Sequence, residues 1–270
     1  MDNLILMPAP MLIDSHCHLD FPELAEMLDE VLANMRQNDV SHALCVGVTL
    51  ENFPRIRQLV ERHEQLYASV GVHPDHELDA EPTQAMLVQL AQHPKVVAIG
   101  ETGLDYFRLK GDLEWQRTRF RTHIRAAREC RKPLIIHCRE AAQDTLRIMA
   151  EERADEVGGV MHCFTESLDV ARAAMEMGFH LSFSGIVTFK NAVALKEVAR
   201  QLPLERMLIE TDAPYLAPAP YRGKLNQPAY VKYVAEEIAG LRGIPLEEVA
   251  RITTANFRRL FLGEESIKNC

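Results

Sequence analysis

A short apolar run followed by an amphipathic stretch recurs eight times along this chain, and that repetition constrains the fold more than any other feature. The runs cover residues 12–15, 43–48, 66–71, 96–101, 134–137, 159–162, 179–183 and 207–210. Short apolar runs bounded by turn residues read as buried parallel strands, and the segments between them space their apolar residues as helices do. Alternating strands and helices imply right-handed crossovers between parallel neighbours. Eight such units in 270 residues predict a closed (β/α)8 TIM barrel rather than an open sheet. Pro22 and Pro82 suit the first turn of a helix, Pro133 stops a helix just before a strand, and Gly178 suits a helix C-cap. Beyond Asp212 comes a proline-rich loop, 214–228, and then two helical stretches, 229–240 and 245–261. Residues 1–10 are expected to be a loose extension ahead of one barrel domain spanning 11–264, with Met11 an alternative start.

Composition narrows the class. With 47% hydrophobic and 26% charged residues the chain is an ordinary globular one. It has no apolar run near the ~20 residues a bilayer demands, and its first residues lack the basic start of a signal peptide. The cysteines, Cys17, Cys45, Cys130, Cys138, Cys163 and Cys270, form no Cys-x-x-Cys pair, which fits reduced thiols in a cytoplasm. A net charge of −9 argues against coating nucleic acid by bulk charge, although an enzyme can still grip a strand end through metal ions and a local basic patch. No dedicated subunit interface is evident, and a monomer is expected.

In such a barrel chemistry gathers where strands end. The first run ends in Asp14-Ser15-His16-Cys17-His18, the third in Gly71-Val72-His73-Pro74, and the fourth in Gly100-Glu101-Thr102-Gly103-Leu104-Asp105. The fifth ends at His137, the sixth at His162, and the eighth in Glu210-Thr211-Asp212. Residue types that ligate metals therefore end six of the eight runs. Alternation puts His16 and His18 on one face of an extended segment. The remaining spacings fit whole βα units: three from His18 to Glu101, one from His137 to His162, two from His162 to Asp212. His16, His18, His137, His162, Glu101 and Asp212 are more ligands than one tetrahedral ion needs. Two divalent ions sharing a carboxylate would use them all, and paired ions ~3.5–4 Å apart are the usual device for phosphoester displacement.

The segments DSHCHLD, GVHPD, GETGLDYF, LIIHCRE, GGVMHCFT, LSFSGIVTFKNA, LIETDAPYLAP and RGKLNQP resemble the TatD family of metal-dependent deoxyribonucleases, most closely its YcfH-like branch. The likeness runs in order from about Leu12 into the C-terminal helices. It implies His16 and His18 on a first ion, His137 and His162 on a second, and Glu101 bridging both. It also implies that Asp212 binds the first ion and positions or deprotonates the attacking water, so that Asp212 and Glu101 are the catalytic residues. The fold implied is again the metallohydrolase barrel. The activity implied is phosphodiester hydrolysis on single-stranded DNA ends, from 3′ to 5′. The alternative that keeps the site is hydrolysis of an ester, as in removal of D-amino acids from mischarged tRNA; a non-catalytic scaffold fits six ligands at a barrel mouth poorly. The ions would be Mg, Mn or Zn: imidazole-rich coordination favours Zn or Mn, whereas phosphoryl substrates often arrive with Mg.

Around these residues the roles divide. His73 is read as a contact to substrate phosphate in preference to a metal ligand, and Asp105 and Glu210 as partners that orient ligands. Cys17, Cys138 and Cys163 neighbour the ligand histidines, but adjacent side chains on a strand face opposite ways, so they read as small buried hydrophobes. Arg117, Arg121, Arg125, Arg128 and Lys132 recur along one helix face and read as a solvated stripe on the barrel's outside. Arg139, Lys190, Arg222 and Lys224 follow strand ends or sit in the long final loop, and are the candidates for phosphate contact. Tyr106, Phe107 and Tyr215 are placed either to stack on an unpaired base or to pack at the rim.

Overall fold

The computed structural model describes residues 11–107, 109 and 111–264; the expected loose extension, residues 1–10, lies outside the described residues. Eight strands, β1 (Leu12–Cys17), β2 (Val40–Cys45), β3 (Leu66–Val70), β4 (Val96–Asp105), β5 (Leu134–Arg139), β6 (Gly159–Met161), β7 (Phe179–Phe183) and β8 (Met207–Ile209), lie side by side in chain order. Every ladder between consecutive strands is parallel. The helices are α1 (Pro22–Ala25), α2 (Leu28–Gln37), α3 (Phe53–Arg62), α4 (Gln84–Leu90), α5 (Glu114–Cys130), α6 (Ala142–Glu151), α7 (Leu168–Glu176), α8 (Val193–Gln201), α9 (Val231–Arg242) and α10 (Leu246–Leu262). Eight parallel strands alternate with helices in a nearly closed TIM barrel.

Period-two alternation builds two apolar layers from the same strands. Leu12, Ala43, Cys45, Leu134, Ile136, Met207 and Ile209 pack among helix side chains such as Val31, Ile124 and Val234. Their neighbours Ile13, Leu44, Ile135 and Leu208 join a second cluster with Phe257 and Phe261 of α10. The seam between β8 and β1 closes just beyond the strands. Asp212 N donates to His16 O at 2.9 Å, His18 N to Ala213 O at 2.8 Å, and Cys17 bridges Ala213. Asp14 stitches the same seam from within: its buried carboxylate accepts Thr211 N at 2.9 Å and Thr211 Oγ1 at 2.6 Å. Burial lifts the Asp14 carboxyl well above the ordinary range, against the pull of those donors.

Several boundaries depart from the sequence expectation for local reasons. Pro82 lies outside its helix, because Thr83 takes the N-cap and its hydroxyl accepts Met86 N at 3.2 Å. Strand β4 runs on to Asp105, since Gly103, with φ +135°, lets β4 lie so close to β5 that a Cβ there would sit 2.0 Å from His137 O. The first C-terminal helix starts at Val231, after a tight turn over Pro228–Tyr230, and ends before Gly243 at φ +65°. Pro22 and Gly178 take the expected positions, Gly178 at φ +84° after α7.

Candidate metal centre

Glu101, on β4 and 2% exposed, is the hub of the barrel mouth. Its Oε2 lies 3.4 Å from His16 Nε2. Its Oε1 lies 2.7 Å from His162 Nε2, 3.1 Å from His137 Nδ1 and 3.4 Å from His73 Nε2. Asp212 Oδ1 faces His18 Nε2 at 3.4 Å and His16 Nε2 at 3.7 Å. The His16 and His162 rings stack with centroids 3.9 Å apart. The six residues that the sequence singled out as ligands therefore meet at one place, delivered by five different strand ends.

Four of the five imidazoles at this hub have their outer nitrogen anchored, which turns the inner one toward the carboxylates. His18 Nδ1 lies 3.0 Å from Val46 O, His137 Nε2 lies 3.0 Å from Asp105 Oδ2, and His162 Nδ1 lies 3.4 Å from Glu210 Oε1. His73 Nδ1 lies 2.5 Å from Asp75 Oδ1. Each outer partner accepts an N–H and so leaves the lone pair on the inward nitrogen, the tautomer that binds a cation. Asp105 and Glu210 hold the orienting positions expected of them. His16 is the exception: it is fully buried, and neither ring nitrogen has a hydrogen-bond partner.

Unmatched buried nitrogens of that kind are costly unless something else fills them, and a cation would. Donor atoms lie within 4.8 Å of one another in the trios His16–His18–Glu101, His16–His162–Asp212 and His73–Glu101–His137. The donor set, imidazoles with carboxylates, suits divalent transition ions. The electrostatics agree. Burial would raise the Glu101 carboxyl, yet the surrounding imidazoles hold it well below the ordinary range, and the same balance lowers Asp212. Burial would lower His73, but Glu101 and Asp75 push it up to about 10; His162 is likewise driven well above its usual value by Glu101 and Glu210. Imidazoles must be neutral to take a cation, so metal binding at these residues would release protons.

The structure draws His73 closer to the hub than a substrate contact requires, with Nε2 also 3.3 Å from His137 Nδ1. Arg139, Lys190, Arg222 and Lys224 stand apart from it. All four are exposed on loops or strand ends at the same end of the barrel, and among the described residues none is hydrogen-bonded or ion-paired to the cluster. Arg139 lies 3.8 Å over the Phe107 ring, Arg222 4.4 Å over Phe189, and Lys224 5.9 Å from the Tyr221 ring. Tyr106 is tied away from the mouth, its hydroxyl donating to Asp144 at 2.8 Å and accepting from Arg117 at 3.2 Å. Among the described residues no thiol joins a metal trio; buried Cys17 donates to Leu44 O, while Cys138 and Cys163 are half-buried and not the buried residues the sequence suggested, Cys163 lying against Ser184 Oγ. Sequence reasoning missed Asp75, Asp14 and the inward residues of α5. For Asp75 a signal existed, a carboxylate two residues after a mouth histidine; the others depend on contacts between distant segments.

A TIM barrel whose C-terminal mouth gathers buried histidine and carboxylate clusters able to bind metal has the architecture of a metal-dependent hydrolase. The TatD related DNase profile matches residues 13–262, and the chain belongs to that family. It is 47% identical over 253 residues to the uncharacterized metal-dependent hydrolase YcfH of Escherichia coli K12, covering 93% of this chain and 95% of that protein. It is 46% identical over 252 residues to YabD of Bacillus subtilis, also an uncharacterized metal-dependent hydrolase, covering 93% and 99%. The crystal structure of YjjV, a TatD homolog from Escherichia coli K12, superposes with a TM-score of 0.84 at 29% identity, covering 95% of this chain and 99% of that one. Among the described residues no helix is long and apolar enough to cross a membrane.

Proposed function

We propose that the protein is a deoxyribonuclease that hydrolyses phosphodiester bonds at single-stranded DNA ends, from 3′ to 5′, with two divalent ions at the mouth. The observation that carries this reading is the double engagement of Glu101, whose Oε2 faces His16 while its Oε1 faces His137 and His162. In it, His16, His18 and Asp212 would hold a first ion and His137 and His162 a second, with Glu101 shared between them and His73 beside the second. When bound, such ions acidify a coordinated water from a pKa of ~15.7 to around 7 and stabilise charge on phosphate oxygens. Asp212, kept ionised by His18 and His16, accepts the proton of the attacking water and fixes its direction. The negative charge of Glu101 would offset the repulsion between two such cations. Arg139, Lys190, Arg222 and Lys224 hold flanking phosphates without reading sequence. The reading includes a monomer working in the cytoplasm, with Mg, Mn or Zn as the ion.

The test is a time course on 3′- and 5′-labelled single-stranded DNA, using metal-stripped protein with Mg, Mn or Zn restored separately and Asp212→Ala as control. Metal-dependent laddering that the variant loses supports the nuclease, and the two labels report polarity. A protein that binds metal yet cuts no strand overturns it and turns attention to aminoacyl esters as substrate.

A further inference from the structure

Beside the candidate metal centre an aromatic side chain stands largely exposed on a fixed stretch of backbone. Tyr215 is 56% exposed, high for a large aromatic, although its backbone is tightly fixed. Tyr215 N donates to Asp212 O at 2.9 Å, and the fully buried Asn226 spends its side-chain N–H groups on Tyr215 O at 2.5 Å and Thr211 O at 2.9 Å. Asn226 N also donates to Pro214 O at 3.1 Å. A buried amide committed to two carbonyls of one turn sets that turn's shape, and with it the place of Tyr215 relative to Asp212. The ring does not stand alone. It meets Phe21 edge-on at 6.2 Å, and Phe21 in turn stacks on His18 at 4.8 Å and 17°. An aromatic path thus runs from a ligand-position histidine through half-buried Phe21 to an exposed ring.

Resting on the nuclease reading, we infer that Phe21 and Tyr215 form a stacking step for the base of a nucleotide beside the cleaved phosphate. Exposing an aromatic ring costs hydrophobic free energy, and fixing the backbone that carries it lowers the ordering cost for a flat partner that lands on it. The same loop carries Arg222 and Lys224, so a partner stacked on Tyr215 has cations within one loop to receive its phosphates. A flat ring carrying a phosphate is a nucleotide. Stacking accepts any base because every base has a π-face, so this step demands a base without choosing which.

The experiment measures Kd by fluorescence anisotropy for two labelled phosphorothioate strands of equal length, one bearing bases and one with tetrahydrofuran residues in their place, alongside cleavage of the ordinary strand. Wild type should favour the base-bearing strand about tenfold. Tyr215→Ala should collapse that ratio toward one, and Tyr215→Phe, which keeps the ring, should restore it. Equal affinity of wild type for both strands, or an unchanged ratio in Tyr215→Ala, overturns the stacking step while cleavage leaves the nuclease reading standing. A base-dependent ratio from a protein that cuts no strand upholds the stacking step and removes the nuclease. Failure to bind either strand removes both.

Discussion

Helix α5 presents charge on two faces, and they do different work. On its outer face Arg117, Arg121, Arg125 and Arg128 pair with Glu114, Glu151, Glu152 and Glu156, a ladder that lashes α5 to α6 and the turn after it. On its inner face Gln116, Arg119 and His123 are buried and make no such ladder. Gln116 accepts Asp105 N at 2.9 Å and donates to Asp105 O at 3.1 Å. Arg119 grips Glu81 with both arms and donates to His73 O at 3.1 Å and His76 O at 2.6 Å, with Trp115 against its guanidinium. His123 accepts Val72 N at 3.0 Å. The inner face therefore holds the segments that carry His73 and Asp105, whereas the outer face only holds another helix. Exposed pairs exchange one set of solvated charges for another and contribute ~0–1 kcal/mol each; buried groups leave their partners stranded when removed. Periodicity of charge marks the first kind and says nothing about the second.

The largest break in that contrast comes from Arg119→Met. It strips donors from two backbone carbonyls and from Glu81 at a buried site, so urea unfolding should show a loss of about 4 kcal/mol. Hydrolysis should fall ten- to a hundredfold with it, because His73 loses the backbone fixture beneath its ring. Arg119→Lys should rescue little, since one ammonium cannot span Glu81 and both carbonyls. Stability within about 1 kcal/mol of wild type would show that the inner face is no different from the outer.

Why the sequence reveals one face and hides the other follows from what each depends on. The strands were legible because an apolar run of Leu134 to Ile136 or Phe179 to Phe183 states its own burial. The residues that meet at the candidate metal centre are legible because each follows such a run, and a strand end in a barrel has a known address. Arg119 sits out of register with the Arg117–Arg128 stripe, and nothing local announces that Glu81 and two carbonyls wait for it. Phe21 and Asn226 are hidden for the same reason: their meaning lies in Tyr215, which Phe21 meets across the β8–β1 seam and Asn226 holds from within the same loop. Lys132, grouped with the stripe by spacing, instead turns its ammonium to Val96 O.

His123 sharpens the comparison through pH. Burial lowers its pKa to about 4 from 6.5, with Arg119's charge adding to the effect and the bond to Arg119 O opposing it. Because the folded value is the lower one, the neutral ring contributes its full stability above pH 6.5 and loses it as pH falls from 6.5 toward 4. At ~1.4 kcal/mol per unit the change is about 3 kcal/mol. Urea midpoints of wild type and His123→Gln between pH 7 and 4 should shift relative to each other by that amount in favour of the variant. Parallel curves would mean that His123 titrates alike in the folded and unfolded chain and that burial does not hold its ring neutral.

The smallest effect should come from the outer ladder, at its best-connected member. Glu152 is largely buried among its partners and accepts Arg125 Nε and Nη2, both at 2.7 Å, and Arg121 Nη1 at 3.1 Å. Its arginines reach water, however, so Glu152→Gln should cost under about 1 kcal/mol. That cost should fade in 1 M salt, where the screening length is ~3 Å. The charge also bears on substrate. If the stripe touched a DNA strand, Arg121→Gln with Arg125→Gln would flatten the salt dependence of binding, because each lost phosphate contact removes about one unit of slope in log Kd against log salt. The expected slope is unchanged, while Arg222→Gln with Lys224→Gln lowers it by up to about two. A reversal of those two outcomes would move the strand from the barrel mouth to the outside of α5 and cut the link between the metal centre and nucleic acid.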